Sequence, residues 1–180
     1  VKRGLALLVA SIAASAHSAS LVPLDLGELA LASSVIVAGR VVEMRPVWVR
    51  GGRHIDSLVT VDVEASFKGE PGRRLTFLTP GGQIGELRTL APGAPAFAAG
   101  AELVLFLAAA GEERVATVVG LGQGALPIQR DAQGARRVRA PFLVPGLREP
   151  HLPLRVSLTL DELALQLGRA EAAARARRKR

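Results

Sequence analysis

Outside the first twenty residues the chain holds two histidines, His54 and His151. His54 stands two positions before Asp56. On an extended strand that spacing puts imidazole and carboxylate on one face, as acid–base or metal chemistry would require. A zinc site needs three or four ligands and an ordered outer shell, and the flanking sequence supplies no third. Ser57 follows at once, which invites comparison with a catalytic triad. Neighbouring side chains on a strand alternate faces, whereas a triad needs a shared centre and an oxyanion hole. The segment is therefore read as a polar strand end. A hydrolase or metal-binding protein using His54 and Asp56 ranks last among three functional readings.

Two glycine-rich stretches follow strand-like segments: Pro80-Gly81-Gly82-Gln83-Ile84-Gly85 and Gly120-Leu121-Gly122-Gln123-Gly124. Neither ends in the Lys-Ser/Thr of a phosphate-binding loop, and the first has no helix start after it to offer backbone N–H groups. Their glycines are read as serving tight turns or close backbone approaches. Loops carry function more often than strands, so Gly81, Gly82, Gln83, Gly122, Gln123 and Gly124 are the binding-surface candidates. No cofactor or metal is expected. The absence of cysteine excludes disulfides, thiol catalysis, cysteine-based zinc sites and a lipidated N-terminal Cys.

The net charge of +7 suggests nucleic acid until its distribution is examined. Two basic residues sit at Lys2 and Arg3, and six more at Arg169, Arg175, Arg177, Arg178, Lys179 and Arg180. Residues 21 to 168 carry 15 basic and 15 acidic side chains and are neutral. Aromatic residues are few, five Phe and Trp48 with no Tyr, so a stacking platform interleaved with positive charge is missing. Nucleic acid is excluded as a partner. The tail Arg175 to Arg180 either offsets a helix dipole or holds the chain to an anionic envelope surface.

The elements that position these residues begin with an export signal. Lys2 and Arg3 precede an uncharged apolar run, Leu5 to Ala14, which leads into Ala14-Ser15-Ala16. A basic start, an apolar stretch and a small-x-small exit describe a signal peptide over 1–16, with Ala16-His17-Ser18 as a second cleavage frame. The run falls short of the roughly 20 residues that span a bilayer, so no membrane span is expected after cleavage. Arg outnumbers Lys 20 to 3, a bias that suggests a GC-rich bacterial genome.

Residues 21–140 are expected to form one β-rich domain with a short leading helix. Asp25 and Glu28 have capping-box spacing, and Leu26, Leu29, Ala30 and Ser33 would share a face of that helix, which Gly27 weakens. Val35 to Val49 is rich in Val, with Gly39 as a bulge. Val59 to Phe67 alternates apolar and polar without error. Leu75 to Thr79, Leu87 to Leu90, Arg114 to Gly120, Ala125 to Arg130 and Ala135 to Ala140 read as further strands. Glu102 to Ala108 is almost wholly apolar, as in a strand buried on both faces. Turn signals near every tenth residue and no intervening helices predict a small antiparallel OB-like β-barrel of six to eight strands. A Pro-rich linker over 141–156 then leads to an amphipathic helix with a basic tail over 157–180. Thr159 and Glu162 cap that helix, and Leu160, Leu163, Ala164, Leu167 and Ala174 form its apolar stripe. The start of this helix echoes Leu24 to Leu31, the same helix-start solution used twice.

Ser33-Ser34-Val35-Ile36-Val37-Ala38-Gly39-Arg40-Val41 resembles the opening strand of many exported β-barrel domains. Taken with Phe67-Lys68-Gly69, Thr79-Pro80-Gly81-Gly82 and Gly100-Ala101-Glu102-Leu103-Val104-Leu105-Phe106-Leu107, residues 24 to about 130 are similar to uncharacterised secreted bacterial β-barrel proteins. More distantly they resemble the netrin/tissue-metalloproteinase-inhibitor module, which implies an OB-type barrel. Inhibitors of that module insert an N-terminal Cys into a protease zinc site. This chain has no Cys, and no inhibitory residue carries over.

The first functional expectation is an exported, non-enzymatic binding module for a protein or cell-envelope partner, periplasmic or secreted. The second is an envelope-associated accessory protein held by its basic tail. N-terminal sequencing of the exported chain should return His17 or Ala19 as the first residue; a chain that keeps Lys2 and Arg3 would refute processing.

Overall fold

The structure is a computed structural model that describes residues 22–110, 115–142 and 154–178. The expected signal peptide, His151 and most of the expected linker lie outside the described residues. Helix α1 (Leu26–Ala32) leads into β1 (Val35–Val49), β2 (His54–Lys68) and β3 (Arg74–Pro80). A small hairpin follows, β4 (Gly82–Ile84) with β5 (Leu87–Thr89), then β6 (Glu102–Ala110) and β7 (Val115–Val118). Strands β8 (Ala125–Arg130), β9 (Arg136–Phe142) and β10 (Leu154–Thr159) precede helix α2 (Leu160–Arg178). The protein is mainly β, with one helix before the strands and one after them.

Eight strands share one sheet in the order β1-β2-β3-β7-β6-β8-β9-β10, and β1 pairs a second time with β6. The pairings β1–β2, β2–β3, β3–β7, β7–β6 and β6–β1 therefore run in a cycle. All are antiparallel except β3–β7, a parallel contact at Leu78↔Thr117. A wholly antiparallel sheet was expected. The parallel contact arises because the chain passes through the β4–β5 hairpin, a loop and β6 before β7 returns beside β3.

Alternation on β1 and β6 builds two cores. Val37, Val41, Leu103, Leu105 and Leu107 join Val59, Val61 and Phe77 in a core drawn from the cycle of strands. Ile36, Ala38, Val104 and Phe106 point the other way, to a core shared with both helices and β8–β10. The near-continuous apolar run of β6 is thus explained by burial on both faces, as its composition predicts. Phe97, on the loop before β6, packs edge-on against Phe77 with ring centroids 5.3 Å apart and extends the first core.

On β2 the alternation holds from Ile55 to Val61 and then meets a bulge. Gly39 pairs with Val63 and Ala38 with Ala65, which leaves Glu64 as the extra residue. Beyond it, Ala65 and Phe67 pack on the helix-side core instead of the first. Gly39, expected from sequence to be the bulge residue itself, lies instead opposite the bulge on β2, and a Cβ there would lie 2.5 Å from the Asp62 carbonyl oxygen.

Both capping boxes form. The Asp25 side chain accepts from the Glu28 N–H at 2.8 Å, and Glu28 accepts from the Asp25 N–H at 2.9 Å. Thr159 and Glu162 repeat the exchange at α2. Leu26, Leu29, Ala30 and Ser33 are all buried. The stripe on α2 differs at one position: Leu163, Leu167 and Ala174 are buried and Ala170 packs beside them, but Ala164 is exposed. Position 164 points away because the helix meets the core along a narrower face than a sequence stripe suggests.

Three further differences from expectation stand out. The main sheet has eight strands, within the six to eight expected, but the separate β4–β5 hairpin brings the total among the described residues to ten. The linker over 141–156 begins too early and ends too late, since Pro141 and Phe142 finish β9 and Leu154 to Val156 open β10, paired from Leu154↔Phe142 to Thr159↔Arg137. Proline at 141 suits a strand whose ladder need not use that nitrogen. Gly27, finally, is no weakness. A Cβ there would sit 2.2 Å from the Ala170 carbonyl oxygen and 3.0 Å from Ala174 Cβ, so glycine lets α1 and α2 touch backbone to backbone.

Helix propensity alone predicts that Gly27→Ala gains about 1 kcal/mol. The crossing predicts a loss of about 1–3 kcal/mol from overpacking, read as a lower denaturation midpoint at unchanged slope.

Candidate functional site

His54 is exposed at the first position of β2, and Asp56 lies on the same face. Asp56 Oδ1 accepts from the Gly81 N–H at 3.3 Å, while the Ser57 hydroxyl, on the opposite face, donates to the Gly81 carbonyl at 2.8 Å. The histidine, acid and serine share no centre. Asp56 and Ser57 instead clamp the first glycine loop from both sides. Among the described residues no three His, Cys, Asp or Glu side chains gather as a metal site would need.

The glycine candidates serve packing. Gly81 has φ of 94°, in the left-handed region, and a Cβ on Gly82 would meet Ile55 Cγ2 at 2.9 Å. Gln83 is exposed and donates to the Gly85 carbonyl at 3.0 Å. Gly122 and Gly124 fall in a 3-10 turn, Leu121–Gly124. The Gly122 N–H donates to the Gly93 carbonyl at 2.8 Å, and a Cβ on Gly124 would lie 2.5 Å from the Val119 carbonyl oxygen. Gln123 holds the chain's entry into α1: its Oε1 accepts from the Leu24 N–H at 2.8 Å, and its Nε2 donates to the Val22 carbonyl at 3.0 Å. The two loops are not brought into one site. Gly81 backs onto Thr89 and Ala91, and Gly122 onto Gly93 and Pro95.

Charge is concentrated elsewhere but satisfied there. Glu102 at the start of β6 meets Arg40, Arg130 and Arg136, and Glu64 meets Arg40 and Arg136. Arg136 contacts both acids, at 2.6 and 2.9 Å, off its N–H axes, so these are ion pairs and not directed hydrogen bonds. Desolvation pushes the Glu102 pKa up. The hydrogen bond from Arg40 and the charges of Arg136, Arg40 and Arg130 outweigh it and hold the carboxyl below the ordinary 4.5. The basic tail is partly spent too. Arg177 pairs with the buried N-cap Asp25, and Arg175 with Glu171 one turn back.

One uncommitted group of residues lies along β1. Its pairing with β6 ends at Arg40, and Gly100 and Ala101 take the backbone groups of Val41. From Val42 to Val49 the side of β1 away from β2 has no strand partner among the described residues. Along this edge Met44 is 41% and Trp48 46% exposed. The register sets Met44 opposite Val59 and Trp48 opposite Ile55, which places both on the face crossed by the β4–β5 hairpin. Leu87 on that hairpin and Leu90 just after it are exposed as well. Arg45, and Arg50 and Arg53 in the following turn, enter no ion pair among the described residues. Arg50 has φ of 52°, a left-handed conformation uncommon outside glycine. Sequence reading passed over this group. Its signal was present: the chain's one Trp and one Met stand four residues apart with arginines around them.

Compared with known proteins, the chain matches no family model, no curated protein and no solved structure.

Because the folded Glu102 carboxyl has a lowered pKa, its contribution to stability is full above the unfolded value and is lost as pH falls through the folded one. Glu102→Gln should therefore be destabilised relative to the parent at about pH 6, with the gap closing toward about pH 3; denaturant midpoints across that range would show it.

Proposed function

We propose that the chain is an exported binding module, not a catalyst, and that it contacts a protein partner through the open edge of β1 and the turn that follows. The Lys2-Arg3 start and small-x-small exit support export. The strand cycle β1-β2-β3-β7-β6, its one parallel contact at β3–β7, and a core drawn from all five strands support an OB-like barrel. In such barrels the loop between the first two strands is a recurrent binding element, and here it is Arg50-Gly51-Gly52-Arg53.

The observation that carries the reading is the placement of rare residues. The only Trp and the only Met of the chain are exposed on one open edge, beside three arginines without ion-pair partners among the described residues. Trp, Met and Arg are the side chains enriched at the centres of protein interfaces. Burying Trp48 against the molecule's own core would have been the ordinary outcome for so large an apolar surface. The left-handed Arg50 adds strain of the kind that collects at functional turns. His54, Asp56 and Ser57 support a binder over a hydrolase, since the acid and the hydroxyl are engaged with Gly81.

A photo-crosslinking residue in place of Trp48 should capture one envelope or secreted protein, and the pair Arg45→Glu with Arg53→Glu should abolish that product. The same probe at Leu165, which is 71% exposed on α2, should not form it. Equal products from both positions would overturn the reading.

A further inference from the structure

We infer that the partner adds an extended strand to the edge of β1, and that this strand alternates acidic with apolar residues. The inference rests on the open edge being the contact surface. The Val41 N–H and C=O point away from β2, toward Ala101 and Gly100. The register slips by one residue between Val41 and Glu43 and then runs regularly to Val49. Counting on from the bulge, the backbone groups of Met44, Pro46 and Trp48 face outward, which is where an edge strand tolerates a proline. The edge thus offers the N–H and C=O of Met44 and Trp48 with the Pro46 carbonyl between them. None of these makes a backbone hydrogen bond outside the strand pairing among the described residues.

Three occupants are conceivable, and charge and backbone hydrogen bonding separate them. A second copy presenting the same edge would bring two Pro46 residues into one ladder, neither with an N–H to donate, and would gather Arg45, Arg50 and Arg53 from both copies with Glu43 as the one acid of that strand edge to offset them. A lipid bilayer leaves outward peptide groups without partners, which costs several kcal/mol each in hydrocarbon. A strand from another protein satisfies those groups directly. Its side chains would alternate as those of β1 do. On one face they meet Arg45, which calls for carboxylates. On the other they meet Met44 and Trp48, both exposed, which calls for apolar residues. Pro46 and Arg45 guard the edge against unselective pairing, so charge on the incoming strand decides which segments may dock.

The test uses the full chain, with Trp48 as its only tryptophan, and a synthetic peptide of alternating Glu and Val. The peptide should shift Trp48 emission saturably and slow amide exchange at Met44 and Trp48. N-methylating alternate peptide amides, or introducing Arg45→Glu, should weaken binding about tenfold or more. Unchanged binding by the N-methylated peptide would overturn strand addition. So would a response to phosphatidylglycerol vesicles or a sulfated polysaccharide with none to the peptide. Crosslinks from position 48 that persist in those cases keep the edge as the contact surface; silence in both experiments removes the proposed function as well.

Discussion

Along Val35–Val41 and Leu103–Leu107, neighbouring side chains alternate between two cores, and every other layer is built on that alternation. A strand buried on one face needs a single covering layer. Strands β1 and β6 need two, and the fold supplies them differently on each side. On one side the cycle of strands turns back on itself and fills with Val59, Val61 and Phe77. On the other, β8–β10 and both helices bring Leu126, Val138, Leu158 and Leu163. Removing either layer would expose a row of fully buried Val, Leu, Ile and Phe, each worth roughly 1.5–3 kcal/mol of burial. In a chain without disulfides this shared wall joins the two halves.

The helix layer is held by backbone proximity and by a buried charge. Gly27 brings α1 within contact of Ala170. Asp25 is tied twice, to the Glu28 N–H as a cap and to Arg177 from the far end of α2. The Lys68 ammonium adds a third tie, donating to the Ala30 carbonyl at 2.8 Å and pairing with Glu171. These links connect α1, α2 and the end of β2, so both helices are fastened to the same wall. They also draw on the basic tail, which is consequently less available to an external surface than its sequence suggests.

The same economy of charge isolates the open edge. Glu64 and Glu102 are taken up by Arg40, Arg130 and Arg136, Asp62 by Arg74 and Asp131 by Arg137, while Glu43 alone stands before Arg45 on β1. Arg45, Arg50 and Arg53 stand outside that network. A domain neutral overall over residues 21 to 168 thereby gains a local excess of positive charge beside its most exposed aromatic residue. Net charge concealed this feature, because it depends on which charges meet and not on how many there are.

Much of the fold was legible in the residues themselves. The alternation of Val59 to Phe67, the two capping boxes and the unbroken apolar run of β6 each identify an element from local rules, since helix starts and strand faces depend on neighbours a few positions away. The glycines at 81, 82, 122 and 124 were legible as turn or packing residues, which is what the structure makes of them. Less legible were Gly27, which propensity marks as a defect, and Leu154–Thr159, which the nearby prolines disguise as linker. Sequence by itself determined the β class, the helix ends, the lack of thiol chemistry and the neutrality of the domain. Only the tertiary structure decided that β1 outruns its partner β6, that Asp56 and Ser57 both hold Gly81, and that Trp48 is left exposed. The reason is physical: an open edge, a close helix crossing and an unpaired charge are properties of residues far apart in the chain, and no local pattern records them.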